Sequence, residues 1–152
     1  MHQGFTNGIH AESSVIITIA TVLFWDIIYD TEVPDVFRSP QQATPLDMNS
    51  PEFYLSRKKL IDERLEQLAE WSFEQIEEQI TERWESSSNI TACPANWGLF
   101  TSLVHFLGLV KCFSGHQLSG ICRRLMTNHR HTRSGFPGKY QSCYFLIKYR
   151  IV

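Results

Sequence analysis

The chain has 152 residues, 43% of them apolar and 20% charged, with a formal net charge of −2. This is enough chain for one domain with a real core and an ordinary make-up for a globular protein, which excludes a low-complexity chain. Four cysteines, Cys93, Cys112, Cys122 and Cys143, show no regular framework and are expected to be free thiols in a reducing, intracellular compartment.

Residues 1–14 contain Gly and His and are expected to be loop, with Ser13 and Ser14 as caps for the next segment. "VIITIATVLFWDIIYD" is apolar on nearly all sides. Its β-branched residues would suit a buried strand, but its length favours a buried helix. The run "VIITIATVLFW" is about half of the ~20 residues that span a bilayer, and no basic segment precedes it, so neither a membrane nor a secretory leader is expected. "TEVPDVFRSPQQATPLDMNSP" is rich in proline and reads as an irregular connection. Ser50-Pro51-Glu52 then opens a helix as cap, first position and favourable acid. In that helix Ile61, Leu65 and Leu68 share a face.

Ser72 and Gln75 form a capping-box signature for the next helix, where Phe73, Ile76, Ile80 and Trp84 continue the apolar stripe. "SSSNITACPAN" is loop, and its Asn89-Ile90-Thr91 is a sequon of a kind common by chance. Leu103, Val104, Leu107 and Val110 suit a further helix ending near Ser114-Gly115. The last helix turns Leu118, Ile121, Cys122, Leu125 and Met126 inward, with Arg123 and Arg124 to another side, and "TRSGFPG" breaks it. The expected fold is mainly α.

Charge is unevenly placed. Every Asp and Glu lies at or before Glu85, and residues 86–152 carry bases, Arg123, Arg124, Arg130, Arg133, Lys139, Lys148 and Arg150 among them, with no carboxylate. Such halves suit a basic face that meets a polyanion, or two solvated faces of opposite sign; charge alone favours the second.

Several strings, read together, resemble one family: "GFTNGIHAES" (4–13), "LFWDIIYDTEVPDVFR" (23–38), "TPLDM" (44–48), "FTSL" (100–103), "LSGICRRL" (118–125) and "RHTRSGFP" (130–137). Their order and spacing are similar to those of the Fanconi-associated nucleases, at the virus-type replication-repair nuclease module of the PD-(D/E)xK superfamily. The resemblance implies a structure-specific DNA nuclease of phosphodiesterase I type in interstrand crosslink repair. Such an enzyme cuts near 5′ flaps, trims 5′ to 3′, uses Mg²⁺ or Mn²⁺, works in the nucleus on branched or flapped DNA and meets other crosslink-repair proteins. It also implies that this chain starts inside the nuclease region, without the upstream DNA-binding and helical-repeat parts.

Hydrolysis of a phosphodiester needs an activated water and a stabilised leaving oxygen, work suited to hard cations held by carboxylates with a Lys nearby. The resemblance places Glu12 on the family's early metal-binding Glu; read alone, it is a carboxylate favoured at a helix start. The family's Pro-Asp should fall at Pro137 and residue 138, but residue 138 is Gly, and no Glu-x-Lys or Asp-x-Lys occurs anywhere in the chain. Pro34-Asp35 lies outside the metal site by the same resemblance. The expectation is an incomplete α/β nuclease domain lacking most of its sheet, spanning 1–137, inactive alone and binding metal weakly or not at all. Residues 138–152 are then a tail foreign to the family. Gly138-Lys139-Tyr140 can be encoded by a final exon G followed by the splice-donor sequence GUAAGUAU, so the tail is expected to be intron read-through, a gene-model error or a genuine inactive isoform. The tail's "CYFLIKYRIV" has β-propensity, and its isolation from a complete sheet favours disorder over edge pairing.

Arg130 and Arg133 are placed for phosphate contacts, or equally for a favourable helix end. Cys112 with His116, and Cys122 with His129 and His131, lack zinc-site spacing, and Cys122 reads as a small buried hydrophobe. The alternative to a nuclease fragment is a non-catalytic helical module that binds DNA or a protein.

Overall fold

A computed structural model of the chain describes residues 7–11, 13–91, 93–127 and 145–149. The described residues are mainly helical. In chain order they form strand β1 (Asn7–Ala11), helices α1 (Ser13–Leu23), α2 (Trp25–Ile28), α3 (Pro51–Glu70) and α4 (Phe73–Ser87), a 3₁₀ turn at Trp97–Leu99, helices α5 (Leu103–Val110) and α6 (Gly115–Thr127), and strand β2 (Phe145–Tyr149).

α1 is the central element, with Val15, Ile19, Ala20, Val22 and Leu23 buried. Its buried Thr18 is satisfied twice. The hydroxyl donates to the Ser14 carbonyl at 2.7 Å and accepts the Asn96 N–H at 2.9 Å, tying α1 to the loop before the 3₁₀ turn. The long apolar run is helical, but as two helices. The ladder is interrupted at Phe24 (φ −116°, ψ 17°), and both the Ile27 and Ile28 N–H groups return to its carbonyl. Two arginines of α3 reach this corner: Arg64 Nη1 donates to the Leu23 carbonyl at 2.6 Å and Arg57 Nε to the Ile27 carbonyl at 3.1 Å. Side chains that take ladder carbonyls are an ordinary cause of a helix break.

The irregular connection turns at Asp35, whose φ of 60° lies in the left-handed region that Asp tolerates better than most residues. It then folds back, with the Leu46 N–H donating to the Val36 carbonyl at 2.9 Å and Gln42 Nε2 to the same carbonyl at 2.7 Å. Pro51 and Glu52 open α3 as expected. Ser50 does not cap through its side chain; the hydroxyl donates to the Asp47 carbonyl instead, at 2.9 Å.

α3 buries Ile61, Leu65 and Leu68 and packs chiefly against α6, which buries Leu118, Ser119, Cys122, Leu125 and Met126. The crossing is close. Ser119 Oγ donates to the Leu65 carbonyl at 2.7 Å, and a Cβ at Gly115 would collide with the Leu68 carbonyl oxygen. α4 carries both halves of its capping box, Gln75 N–H to Ser72 Oγ at 3.4 Å and Ser72 N–H to Gln75 Oε1 at 3.0 Å. Trp84 extends the core sideways, edge-on to Trp97 at 5.6 Å and tilted against Phe106 at 5.8 Å.

Three expectations are corrected. α5 ends at Val110 rather than near Ser114, and its inward face is Phe106, Leu109 and Val110, while Val104 is 62% exposed. Its sequence is apolar nearly throughout, so periodicity does not choose a face. Residues 7–11 are a strand and not loop. The tail segment 145–149 is not disordered: it pairs antiparallel with β1, from Asn7↔Tyr149 to Ala11↔Phe145. Each strand supplies the partner that the other lacks in local sequence, and a backbone ladder asks little of side-chain identity.

Candidate nucleic-acid interface

Glu12, Arg130, Arg133 and Gly138 all lie outside the described residues. What the structure describes is their frame. Glu12 falls in sequence between the last residue of β1 and the first of α1, and Arg130 and Arg133 follow α6. α1 packs against both α4 and α6, so the elements on either side of the predicted site belong to one core.

α6 is a two-faced helix. Opposite its buried stripe it exposes His116, Gln117, Gly120, Arg123, Arg124 and Thr127. Its start is fixed by a second capping box: Gln117 N–H donates to Ser114 Oγ at 3.1 Å, and Ser114 N–H to Gln117 Oε1 at 2.9 Å. The Ser-x-x-Gln signature at 114–117 is as legible as that at 72–75, but the expected extent of α5 hides it by running the preceding helix too far.

The acids gather on the other side of the molecule's charge balance, along α3 and α4. Asp62 of α3 is held below the usual carboxylate range, first by hydrogen bonds from Lys58 (2.6 Å) and Tyr54 (2.9 Å), with Arg123 of α6 adding its field. The partnership raises Lys58 in turn, mainly through the Asp62 hydrogen bond. Asp26 is committed to Arg64, which donates to both of its oxygens at 3.0 and 2.7 Å.

The strongest polar feature is one that sequence reading missed. Arg57 is 1% exposed. Besides the Ile27 carbonyl it donates to Asp47 Oδ2 at 2.7 Å and Ser56 Oγ at 2.9 Å, and its guanidinium carbon lies 4.4 Å from the Phe53 ring centre. Asp47 Oδ1 and Arg57 Nη2 are buried without a partner among the described residues. Asp47 is the acid of "TPLDM", so that string holds the fold. A basic residue on the inward stripe of α3 was the available signal.

The described donors alone do not form a divalent-metal site. Among the described residues no three His, Cys, Asp or Glu side chains converge to hold a metal, and the sequence after Glu85 contains no carboxylate. No hydrolytic step through a metal is derived. Cys122 is a core residue whose burial pushes its thiol up to about 12, and burial also raises Cys112.

Residues 72–138, which cover α4, α5 and α6, match the VRR-NUC domain family. Fanconi-associated nuclease 1 of Mus musculus is 40% identical over 135 residues, 89% of this chain, and that of Danio rerio is 40% identical over 134 residues. This chain belongs to the Fanconi-associated nuclease family. It spans about 13% of the length of the mouse relative. The fold is shared with a solved structure described as paFAN1 bound to DNA with a 2-nucleotide 5′ flap and a gap. The TM-score is 0.72 at 21% identity, over 86% of this chain and 23% of that one. The described helices thus share the fold of that structure, and among the described residues they carry a two-stranded sheet.

Proposed function

We propose that this chain is part of the nuclease module of a structure-specific DNA nuclease. Its activity would be of phosphodiesterase I type, cutting near 5′ flaps and trimming 5′ to 3′ in nuclear interstrand crosslink repair. The observation that carries the reading is the 40% identity to Fanconi-associated nuclease 1 across 89% of the chain. On this reading Glu12 is one metal ligand of a set that in the whole family takes Mg²⁺ or Mn²⁺, and Arg130 and Arg133 contact DNA phosphates. Other crosslink-repair proteins are the expected partners.

The chain as it stands is proposed to be inactive. Gly138 follows Pro137 where the family has an Asp, and one carboxylate cannot hold and orient a catalytic cation alone. On the same reading residues 1–137 are the nuclease portion and 138–152 a tail foreign to the family, from intron read-through, a gene-model error or a genuine inactive isoform. Sequencing the message and the gene across the Pro137 and Gly138 codons tests the tail: a splice donor there, with Asp and then Glu-x-Lys in the next exon, is the expected result.

Activity is tested by incubating the purified chain with 5′-flap DNA and Mg²⁺ or Mn²⁺. No cleavage is expected, and cleavage that disappears in Glu12→Ala would overturn the inactivity. A second reading, a non-catalytic DNA-binding module, is favoured by the carboxylate-free, arginine-bearing face of α6. It expects DNA binding that weakens steeply with salt and is unaffected by Glu12→Ala.

A further inference from the structure

Gly120 is the residue of α6 that the described fold does not use. It stands mid-helix on the exposed face, and a Cβ there would meet nothing within 4 Å. Glycine inside a helix is destabilising relative to alanine, because the unfolded chain gains freedom and the helix loses shielding. Gly115 has a reason within the fold, since the α3 carbonyls leave no space for a Cβ. Gly120 has none.

Its neighbours on the same face are His116 and Gln117 one turn earlier and Arg123 and Arg124 one turn later, all exposed. α6 contains no acid, and none follows Glu85 in the chain. The carboxylate whose titration feels this face is Asp62 of α3, already engaged by Lys58 and Tyr54. No described carboxylate forms an ion pair with Arg124. The face therefore combines bare helix backbone with the charge of Arg124, which no described carboxylate pairs.

We infer that the outer face of α6, formed by His116, Gln117, Gly120, Arg123 and Arg124, docks the sugar–phosphate backbone of DNA. The missing side chain at 120 lets a strand come close to the helix, and the two arginines one turn on supply charge-assisted hydrogen bonds to phosphate oxygens. Contacts of this kind position DNA without reading its sequence. The inference rests on the reading of the chain as part of a DNA nuclease, and it names a surface on the described helix, apart from Glu12, Arg130 and Arg133.

The test is fluorescence anisotropy of the full chain with labelled 5′-flap DNA across a salt series, alongside thermal melting, for Gly120→Ala, Gly120→Gln and Arg124→Gln. Gly120→Ala should raise Tm by about 3 °C, as relief of a helix-interior glycine does in a domain of this size. Yet it should weaken DNA binding, and Gly120→Gln should weaken it further, in total roughly tenfold, the equivalent of one lost charge-assisted contact. Arg124→Gln should lower the slope of log affinity against log salt by about 0.9, one phosphate contact. Unchanged affinity in all three variants, with salt-dependent binding by the parent chain, overturns the inference and leaves the proposed function standing. A fall in Tm for Gly120→Ala assigns the glycine to the fold and also overturns it. If the parent chain binds no DNA at any salt, both this inference and the binding reading fall.

Discussion

Towards its N-terminus α3 is held by a charged side chain buried among carbonyls; towards its C-terminus it is met by two small residues of α6, Gly115 and Ser119, that let the backbones come close. Arg57 reaches Ile27, Asp47 and Ser56 and so fastens α2 and the proline-rich connection onto α3. Two turns on, Gly115 and Ser119 let α6 approach until Ser119 bonds the Leu65 carbonyl. The first contact can hold an irregular segment, because a long side chain finds its partners across a gap. The second requires two regular helices, because only repeated backbone geometry brings small residues so near. One helix thus organises an irregular half and a regular half of the same core.

Removing one partner of the buried pair should be the severest test of this contrast. Arg57→Ala strips the Asp47 carboxylate of its cationic partner and the Ile27 carbonyl of its side-chain donor, and is expected to cost about 3–5 kcal/mol in urea unfolding. The double change Arg57→Met with Asp47→Leu should recover most of that loss, since an apolar pair has no charge to strand. If Arg57→Ala costs less than about 1 kcal/mol, the irregular half is not fastened by this group.

At the regular end, Gly115→Ala drives a methyl group against the α3 carbonyls and should cost about 1–3 kcal/mol, the range for overpacking. Ser119→Ala removes a single buried hydrogen bond and should cost about 1 kcal/mol. Equal losses for the two would show that α6 has room to shift and that the close approach is not set by Gly115. Ser114→Ala, which removes the α6 cap alone, should cost about 1 kcal/mol and leave the α3–α6 contact intact by hydrogen exchange of the Leu65 region.

The surface pair gives the smallest effect. The Asp62 carboxyl is held below its ordinary 3.8, first by its hydrogen bonds from Lys58 and Tyr54. A depressed folded-state value means that the stabilisation is present above pH about 4 and is lost as pH falls through the lower folded value. Asp62→Asn should therefore flatten the decline of Tm below pH about 4 and change little at neutral pH. A decline unchanged by the substitution would place the acid sensitivity in other carboxylates.

The legible parts of this chain share one property: they are local. The stripe Ile61, Leu65, Leu68, the stripe Leu118, Ile121, Cys122, Leu125, Met126 and the Ser72–Gln75 box each occupy a few turns of one helix, and each is found as expected, with Ile121 only partly buried. The face of α5 is not legible because LVHFLGLV offers apolar residues on every side, so its neighbours decide that Phe106 goes in and Val104 stays out. β1 is hidden because a strand's hydrogen bonds come from elsewhere, here from residues 145–149. The candidate site is an expectation from strings alone, since Glu12 stands far in the chain from Arg130 and Arg133 and no local period joins them, and all three lie outside the described residues.

By itself the sequence determined the helical class, the segregation of acids before Glu85 from bases after it, and the strings that mark a Fanconi-associated nuclease. Each is written in residue identity or in spacing within a turn or two. Tertiary structure alone decided that Arg57 is a buried fastener, that the apolar run breaks at Phe24, that Gly115 is required and that Gly120 is not. All four depend on which atoms of distant segments meet, and that is set only when the helices pack.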